Sequence, residues 1–459
     1  MPHHRAAPRA AAAIAAAAVP LPPIDDPAAS PFRGPFANAT GVLADLLARH
    51  RVVLLGESTH GTAEFYHARA ALTAHLVARH GFRIIAVEAD WPDAAAVDRH
   101  VRGRPPQPAE SPGAAFTRFP VWMWRNLEVA RFIRWLHTHN ETLAPAQRTG
   151  FFGLDIYSLR ASMAAVLAYL EGVDPQAARA ARERYGCLEP WGRDPARYGR
   201  AVLHGTHADC EDAVVAQLQA LLDKRLAYAR AGHEDFLDAA QNARLVASAE
   251  RYYRVMYHGS DDSWNLRDTH MFETLAHLLQ AHGPQARAVV WAHNSHIGDA
   301  SQTEMGASQG QLSIGQLCRE SFGDDAALVG LSTYDGTVAA ATSWDGPMEI
   351  KQVRPARADS YEHLFHAAGH AQAWIDLRGP SGGANGGVQA EVRQLLMPAR
   401  QERFIGVIYR PETELQSHYA RATLPRQFDL LLWFDRTRAV PALPAEPAPG
   451  APETWPYGL

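Results

Sequence analysis

The sequence is poor in cysteine: its 459 residues include three, Cys187, Cys210 and Cys318. None of them forms a Cys-x-x-Cys motif, which excludes the common zinc-ribbon and thioredoxin-type sites. Because an odd number of cysteines cannot pair completely within one chain, we expect a reduced chain in the cytoplasm.

Long hydrophobic runs and blocks of positive charge are also missing. No uninterrupted apolar segment reaches the ~20 residues that a helix needs to cross a bilayer. The net charge is −5, without an extended run of lysine or arginine, and this argues against a nucleic-acid surface. We therefore expect neither a membrane nor a nucleic acid as a partner.

The N-terminal segment is rich in alanine. Arg5 and Arg9 precede an alanine-rich stretch at residues 10–19, and two interpretations stay open. The stretch resembles a weak signal peptide, in which a basic region precedes an apolar one. Alternatively it is a helical extension, because alanine favours helices but is a poor residue for the apolar part of a signal.

The remaining composition, 47% hydrophobic and 20% charged, is that of a globular protein. Strand-like and helix-like segments alternate on both sides of a long stretch without strand character. This predicts an α/β fold with a central, mainly parallel sheet flanked by helices, and with a helical insertion. The predicted divisions are a loosely ordered segment at 1–35, an α/β body at 36–158 and 284–440, the insertion at 159–283, and a proline-rich tail at 441–459.

Three apolar runs stop abruptly at residues that can carry chemistry. Residues 52–55 lead into Gly-Glu-Ser-Thr-His, residues 83–87 into Glu-Ala-Asp, and residues 288–292 into His-Asn-Ser-His. Short apolar runs of this kind are typical of buried strands, and ligands bind at the carboxyl ends of parallel strands. The three predicted strand ends therefore indicate hydrolytic or metal chemistry.

His60 is the best candidate for a general base, because an imidazole can take a proton from water near neutral pH. Glu57 and Glu88 are the carboxylates that could orient it. The alternative is that His60 only caps the following helix. Ser58 is a weak candidate for a nucleophile, because His60 replaces the last glycine of a nucleophile elbow, and a helix-capping hydroxyl is the simpler interpretation.

Two further histidines, His293 and His296, are spaced so that they share a face if they lie on a helix. They could orient a substrate, satisfy hydrogen bonds of a turn, or bind a divalent metal together with His60 and Glu88. Arg69, on the predicted helix 62–80, could stabilise an oxyanion or hold the carboxylates, although most arginines form surface ion pairs.

With these residues assembled, the sequence resembles the erythromycin esterase family from about residue 35 to 440. Four ordered blocks carry the resemblance: Gly-Glu-Ser-Thr-His-Gly at 56–61, Val-Glu-Ala-Asp-Trp-Pro at 87–92, Ser-Trp-Asn-Leu-Arg-Asp at 263–268, and Trp-Ala-His-Asn-Ser-His at 291–296. Residues 303–306 and 343–346 resemble the environmental branch of the family rather than the antibiotic-resistance enzymes. The resemblance therefore does not establish erythromycin as a substrate.

The resemblance implies hydrolysis of a macrolide lactone or another carboxylic ester with no required cofactor, although a divalent metal stays possible. His60 matches the general base of the family. The other residues fall into two groups: the active-site residues Glu57, Glu88, Arg69 and His293, and the substrate-binding or accessory residues His296, Trp91 and Arg267.

Three functional hypotheses follow. The first is an ester hydrolase in which His60 activates water without a covalent intermediate. The second is a divalent-metal-dependent hydrolase of esters or peptides on the same fold. The third is a non-catalytic protein that binds a small molecule, since a fold alone does not determine function.

Overall fold

The structure, a computed structural model, describes residues 3–24, 30–106, 115–192, 194–257, 259–379 and 386–444. These residues form two compact units. The first unit contains the described residues of Met1–Ile85, Pro120–Thr149 and Ala286–Ala445, and the second contains those of Ala86–Phe119 and Gly150–Gln285.

Most of the strands are short. In chain order they are β1 Val19–Pro20, β2 Val52–Leu55, β3 Ile84–Asp90, β4 Gly150–Asp155, β5 Ala288–Trp291, β6 Ala326–Ala340, β7 Glu349–Val353, β8 Gln372–Asp376, β9 Arg400–Arg403, β10 Tyr419–Ala422 and β11 Leu430–Thr437.

The α-helices range from single turns to helices of six turns. They are α1 His3–Ala17, α2 Pro35–Leu47, α3 Ala63–His80, α4 Trp91–Val101, α5 Val121–Trp124, α6 Leu127–Glu141, α7 Leu159–Val173, α8 Pro175–Tyr185, α9 Pro195–Leu203, α10 Glu211–Asp223, α11 Arg225–Ala231, α12 His233–Val255, α13 Ser260–Ala281, α14 Asn294–Ile297, α15 Glu304–Gln309, α16 Ile314–Phe322, α17 Tyr361–Ala367, α18 Gly386–Leu396, α19 Glu414–Ser417 and α20 Leu424–Gln427.

The first unit is built on a mixed sheet with the strand order β1-β8-β11-β6-β2-β5, and β7 also pairs with β6. The central pairs β11–β6, β6–β2 and β2–β5 are parallel, whereas β1–β8, β8–β11 and β6–β7 are antiparallel. All four residues of β2 are fully buried, as expected of a parallel strand that is covered on both faces. The predicted class, a mainly parallel sheet flanked by helices, is confirmed.

Helix α3 follows β2 and begins close to where the sequence predicted it. Thr62 has extended backbone angles at the N-cap, and Gly81, with φ of 68°, ends the helix in the left-handed region that glycine adopts without strain. Fourteen of its residues are buried, including Arg69. The helix is therefore enclosed over most of its circumference, and its buried polar side chains call for a specific explanation.

The second unit combines strands β3 and β4, which are neighbours in a sheet, with helix α4 and the run of helices α7–α13. Between residues 159 and 283 the described residues form helices and no strand. The boundary differs from the predicted one, because residues 86–119 and 150–158 belong to the helical unit. Helix α4 packs against β4, and α12 packs against α4 and α7.

The N-terminal segment is more ordered than expected from its composition. Residues 3–17 form helix α1, in which Ala10 and Ile14 are each 1% exposed. The helix packs against α17 and α18, and Arg9 forms an ion pair of 2.7 Å with Glu391 of α18. Small alanine side chains allow this close packing, so the expectation of loose order is wrong for these residues. Of the predicted tail, residues beyond 444 lie outside the described residues.

The expectation of unpaired thiols is also corrected. Cys187 and Cys210 form a disulfide, with Cα atoms 6.1 Å apart, and Cys318 is a buried free thiol. That Cα separation lies within the range that a disulfide can bridge. The two cysteines are 23 residues apart in sequence, so no short motif indicated the pairing. Among the helices of the described residues, none is both long and apolar enough to cross a bilayer.

Candidate active site

Two adjacent parallel strands of the first unit end at candidate catalytic residues. In the β2–β5 pair, Leu55 lies opposite Trp291. Glu57 follows the end of β2 by two residues, and His293 follows the end of β5 by two. The backbone N–H of Asn294 donates to the Glu57 carbonyl over 2.8 Å. The sheet therefore brings Glu57 and His293 to one edge because their strands have the same direction and matched register.

The loop from β2 to α3 is fixed by close backbone contacts. A Cβ atom on Gly56 would lie 2.1 Å from Oδ1 of Asn294, and one on Gly61 would lie 2.0 Å from the carbonyl oxygen of Ala339. On the other side of the loop, the His60 N–H donates to the Ile405 carbonyl over 3.3 Å. Glycine is required at both positions because no larger side chain fits.

The N-cap of α3 is Thr62, whose side chain makes no capping hydrogen bond, so neither Ser58 nor His60 occupies the capping position predicted for them. The Ser58 carbonyl instead accepts from the Ile405 N–H over 2.8 Å. The two residues lie in the loop before the helix, where backbone contacts hold them.

A chain of three side chains runs from α3 into the loop. Nη2 of Arg69 donates to Oε2 of Glu57 over 2.7 Å, and Oε1 of Glu57 lies 2.9 Å from Nδ1 of His60. A carboxylate that also receives an arginine hydrogen bond is an acceptor, so it selects the His60 tautomer with hydrogen on Nδ1. In this tautomer Nε2 of His60 carries the lone pair that a general base requires.

The three side chains differ in how deeply they are buried. Glu57 and Arg69 are fully buried, while His60 is 6% exposed. The Arg69 guanidinium lies 4.4 Å from the Tyr66 ring centroid and 5.1 Å from that of Trp291. These contacts enclose Arg69 under the loop, so of its two predicted roles the geometry favours holding the carboxylate.

Tyr66 and Trp291 contact the candidate site but were not among the predicted site residues. The Tyr66 hydroxyl donates to the His60 carbonyl over 2.9 Å, and Nε1 of Trp291 donates to Oγ1 of Thr73 over 2.9 Å. The helical spacing of Tyr66 and Arg69, three residues apart, was the available signal that their side chains share a face.

His293 lies beside His60, with 4.7 Å between the ring centroids. It is the N-cap of α14, and its Nδ1 accepts from the backbone N–H of Ser295 over 3.3 Å. Nδ1 also lies 2.8 Å from the Ser295 hydroxyl oxygen, a group that can donate. Because a backbone N–H can only donate, both contacts are satisfied when neutral His293 carries its hydrogen on Nε2. His296 lies in the same short helix, is 2% exposed, and donates its backbone N–H to the His293 carbonyl over 3.0 Å.

In the second unit, Arg267 of α13 donates hydrogen bonds to two carboxylates. Its Nη2 donates to Oε1 of Glu88 over 2.8 Å and to Oδ2 of Asp155 over 2.7 Å, and its Nε donates to Oδ1 of Asp155 over 2.9 Å. Burial disfavours the charged guanidinium, but the acidic neighbours, Asp155 first, raise the pKa of Arg267 well above its usual value. Two predicted residues, Glu88 and Arg267, are therefore partners.

Other buried groups surround this ion pair. The Arg267 guanidinium lies 5.2 Å from the ring centroid of Tyr157. Burial lowers the pKa of His270, one turn further along α13, to about 4, so this imidazole is neutral at pH 7. Asp155, the last residue of β4, is a partner of Arg267 that was not among the predicted site residues, and its position at the end of a strand is the feature that indicates it.

Trp91 begins helix α4 and has both a polar and an aromatic partner. Its Nε1 donates to Oδ1 of Asp238 over 2.6 Å, and its ring stacks on Phe152 at 5.8 Å between centroids. Both contacts lie within the second unit, and they account in structural terms for a side chain that is only 4% exposed. A substrate-binding role for Trp91 stays a prediction.

Possible metal ligands occur at a different place in the first unit. Asp45, His75 and His80 form a group on α2 and α3 whose ligand atoms lie within 4.8 Å of one another. This group is distinct from the predicted metal ligands His60, Glu88, His293 and His296.

A family model described as erythromycin esterase matches residues 77–437. The chain is 21% identical over 416 residues to "Putative hydrolase YbfO" of Bacillus subtilis (strain 168), with 86% of this chain and 85% of that protein covered. Three solved structures share the fold at low sequence identity.

The first of these, a Bacillus cereus protein, has a TM-score of 0.77 at 19% identity and covers 95% of this chain and 99% of its own. The second, a succinoglycan biosynthesis protein, has a TM-score of 0.75 at 19% identity. The match covers 94% of this chain and 97% of that protein. The third, a mutant of the erythromycin esterase EreC in its open conformation, has a TM-score of 0.62 at 17% identity. The match covers 87% of this chain and 94% of that protein. The family match extends over more than half of the sequence, and the chain therefore belongs to the erythromycin esterase family.

Proposed function

We propose that this protein is a hydrolase that cleaves a carboxylic ester or a macrolide lactone by attack of water that His60 activates. The observation that carries the proposal is the chain from Arg69 through Glu57 to Nδ1 of His60, with contacts of 2.7 and 2.9 Å. The names of two relatives, a hydrolase and an erythromycin esterase, support the reaction class.

The first step is proton transfer from water to His60. Glu57 holds the Nδ1 hydrogen, so Nε2 takes the proton as the water oxygen forms its bond to the ester carbonyl carbon. The imidazolium that results is stabilised by the Glu57 carboxylate, as in other base–carboxylate pairs. Arg69 balances the charge of Glu57, which would otherwise be costly to keep ionised in the interior.

The second step requires a donor for the carbonyl oxygen, which becomes an oxyanion. His293 fits this role because its neutral form carries the hydrogen on Nε2 and its ring lies 4.7 Å from that of His60. A neutral imidazole held in one tautomer can serve as such a donor. Arg69 is fully buried beneath the loop, so we assign it to positioning Glu57 and not to the oxyanion.

The tetrahedral intermediate then collapses. The bond from the carbonyl carbon to the alcohol oxygen breaks, and the leaving alkoxide takes the proton from Nε2 of His60. The products are a carboxylic acid and an alcohol, or a ring-opened hydroxy acid from a lactone, and His60 returns to its neutral state.

Glu88 and Arg267 stay proposed site residues on the basis of family resemblance. Their ion pair of 2.8 Å and the bidentate contact with Asp155 fix the Glu88 carboxylate in one orientation within the second unit. An Arg267→Lys variant would lose the fork geometry while it keeps the charge. We propose that it lowers turnover while circular dichroism stays that of the wild type.

The test is a panel of macrolides and simple esters incubated with the protein in water enriched in oxygen-18. Mass spectrometry should detect one added water that carries the label, and a His60→Ala variant run beside it should not produce it. His366→Ala is the matched control, because Nδ1 of His366 also pairs with a carboxylate, Oδ1 of Asp435, over 2.7 Å. No labelled product from any ester or lactone would refute the proposal.

A further inference from the structure

Asp45, His75 and His80 form a three-residue group apart from the candidate active site. Nε2 of His80 lies 2.7 Å, and Nε2 of His75 lies 3.2 Å, from the same carboxylate oxygen, Oδ1 of Asp45. The two histidines come from one helix, α3, and the aspartate comes from its neighbour α2. The group therefore depends on the packing of these two helices and not on a short sequence motif.

The ligand types and spacing suit a borderline transition metal ion such as Zn²⁺ or Co²⁺. Imidazole and carboxylate are both ligands of zinc, with bonds of about 2.0–2.2 Å, which places ligand atoms of a tetrahedral site roughly 3.3 Å apart. The His75–Asp45 distance of 3.2 Å is already of that size. The Asp45 side chain is 60% exposed, so it can rotate and lengthen its 2.7 Å contact with His80.

Helix α2 leaves room for one of the imidazoles. A Cβ atom on Gly41 would lie 2.8 Å from Cε1 of His75, so the ring occupies space that any other residue at position 41 would fill. Glycine inside a helix is destabilising relative to alanine, and at this position it permits the His75 ring to reach Asp45. This close contact holds the His75 ring in position beside Asp45.

The group borders an open groove with a volume of about 430 Å³, lined among others by Phe32, Asp45, His75 and Trp135. The side chains of His75 and His80 are 21% and 25% exposed. Solvent can therefore reach the position between the ligands, and water can supply the remaining coordination. Three protein ligands with water in the fourth position is a coordination that zinc adopts in proteins.

From this geometry we infer that Asp45, His75 and His80 form a binding site for one divalent transition metal ion, separate from the residues proposed to hydrolyse the ester. His75 lies six positions after Arg69 in α3, a rise of roughly 9 Å along the helix axis. The inference does not depend on the proposed function, and metal at this site is not assigned to the chemistry.

The experiment titrates the full chain, without an added polyhistidine tag and after treatment with a chelator, with Co²⁺ and then Zn²⁺. The wild type should bind one equivalent of Co²⁺ with the visible d–d absorption of nitrogen-ligated cobalt, which Zn²⁺ then displaces. Zn²⁺ should also raise its melting temperature, because a ligand that binds the native state stabilises it.

The decisive variant is His75→Ala/His80→Ala, which should lose that equivalent and the Zn²⁺-dependent rise in melting temperature. Should this variant unfold, Asp45→Asn gives the same test with a smaller change. The affinity of Asp45→Asn for Co²⁺ should fall at least roughly tenfold. Mutation of a residue that only hydrogen-bonds to a metal ligand already lowers metal affinity by about 10- to 100-fold.

Two controls distinguish this site from others. His137→Ala removes another partly exposed histidine, which pairs with Glu141 at 3.6 Å on α6, and should bind cobalt as the wild type does. His60→Ala should do the same. Unchanged cobalt binding by the double variant, loss of binding in His60→Ala, or no cobalt bound by the wild type would each overturn the inference.

Discussion

Glu57 is the residue on which the chemistry proposed for the first unit depends, because its two oxygens serve two partners. One accepts from Arg69 and the other meets Nδ1 of His60. The carboxylate therefore fixes the histidine tautomer and also compensates a fully buried arginine. A substitution of glutamine for Glu57 removes the negative charge but keeps the shape of the side chain. It should therefore weaken the contacts with both partners at once.

We predict that Glu57→Gln lowers kcat for the ester substrate by about 10²–10⁴-fold, the usual contribution of general base catalysis. The amide can donate to Nδ1 and so favour the tautomer whose Nε2 carries hydrogen and cannot act as a base. The measurement is steady-state turnover of variant and wild type. Asp435→Asn, which changes the carboxylate partner of His366, is the control and should retain turnover.

The loop between β2 and α3 is the element that positions His60. Its shape depends on Gly61, which lies against the backbone of β6. We predict that Gly61→Ala reduces both turnover and the free energy of unfolding, because the added Cβ would lie 2.0 Å from the Ala339 carbonyl and would displace the loop. Urea denaturation and kcat are the measurements.

Gly172→Ala is the control for that substitution. Nothing lies within 4 Å of a Cβ at this helical position, so the change should leave turnover unaltered and stabilise by about 0.4–1 kcal/mol. Equal effects of the two substitutions would contradict the role assigned to the loop.

Helix α6 contains a buried acid with consequences for stability. Burial raises the pKa of Glu128 from 4.5 to about 7, although a backbone hydrogen bond and the charge of Arg131 act in the opposite direction. Between these two pKa values the unfolded chain has lost a proton that the folded chain retains. The free energy of unfolding therefore falls as the pH rises through this window.

We predict that Glu128→Gln removes this decrease in the free energy of unfolding. The free energies of unfolding of the variant and the wild type should therefore differ more at pH 7 than at pH 4.5. Thermal melts across the window measure it. Parallel pH dependence of the two proteins would show that Glu128 does not titrate in this way.

At the scale of the whole molecule, much of the fold could be predicted because apolar runs, helical spacing and strand ends are local features. Strands β2, β3 and β5 coincide with the apolar runs at 52–55, 83–87 and 288–292 from which they were predicted. Partnerships across long separations were not predictable: Arg267 meets Glu88 at a separation of 179 residues, and the disulfide joins two cysteines outside any motif. A helix at α1 was one of the two interpretations open for the alanine-rich segment, but its packing against α17 and α18 could not be predicted, because those helices lie far along the chain.

The candidate site was predictable to a similar extent. Glu57, His60 and His293 follow strand-like runs, and the structure brings them together in the first unit. The buried position of Arg69 under Tyr66 and Trp291 needed coordinates, because sequence spacing does not reveal which side chains enclose a charge. The assignment of His60 also rests on geometry, since the family match begins at residue 77, after the loop that holds it.

We predict that hydrolysis survives removal of divalent metal ions from the whole protein. The Glu57–His60 pair supplies a base without a metal, and an ion bound by Asp45, His75 and His80 takes no part in the proposed reaction. Turnover after dialysis against a strong chelator, with and without added Zn²⁺, Mn²⁺ or Co²⁺, is the measurement. Loss of activity that one of these ions restores would favour the metal-dependent alternative.

The central claim is that His60 activates the attacking water, and kcat of His60→Ala on the identified ester tests it most directly. We expect a variant with the circular dichroism spectrum and melting behaviour of a folded protein and with turnover lower by about 10²–10⁴-fold. A folded His60→Ala protein with turnover near that of the wild type would contradict the claim.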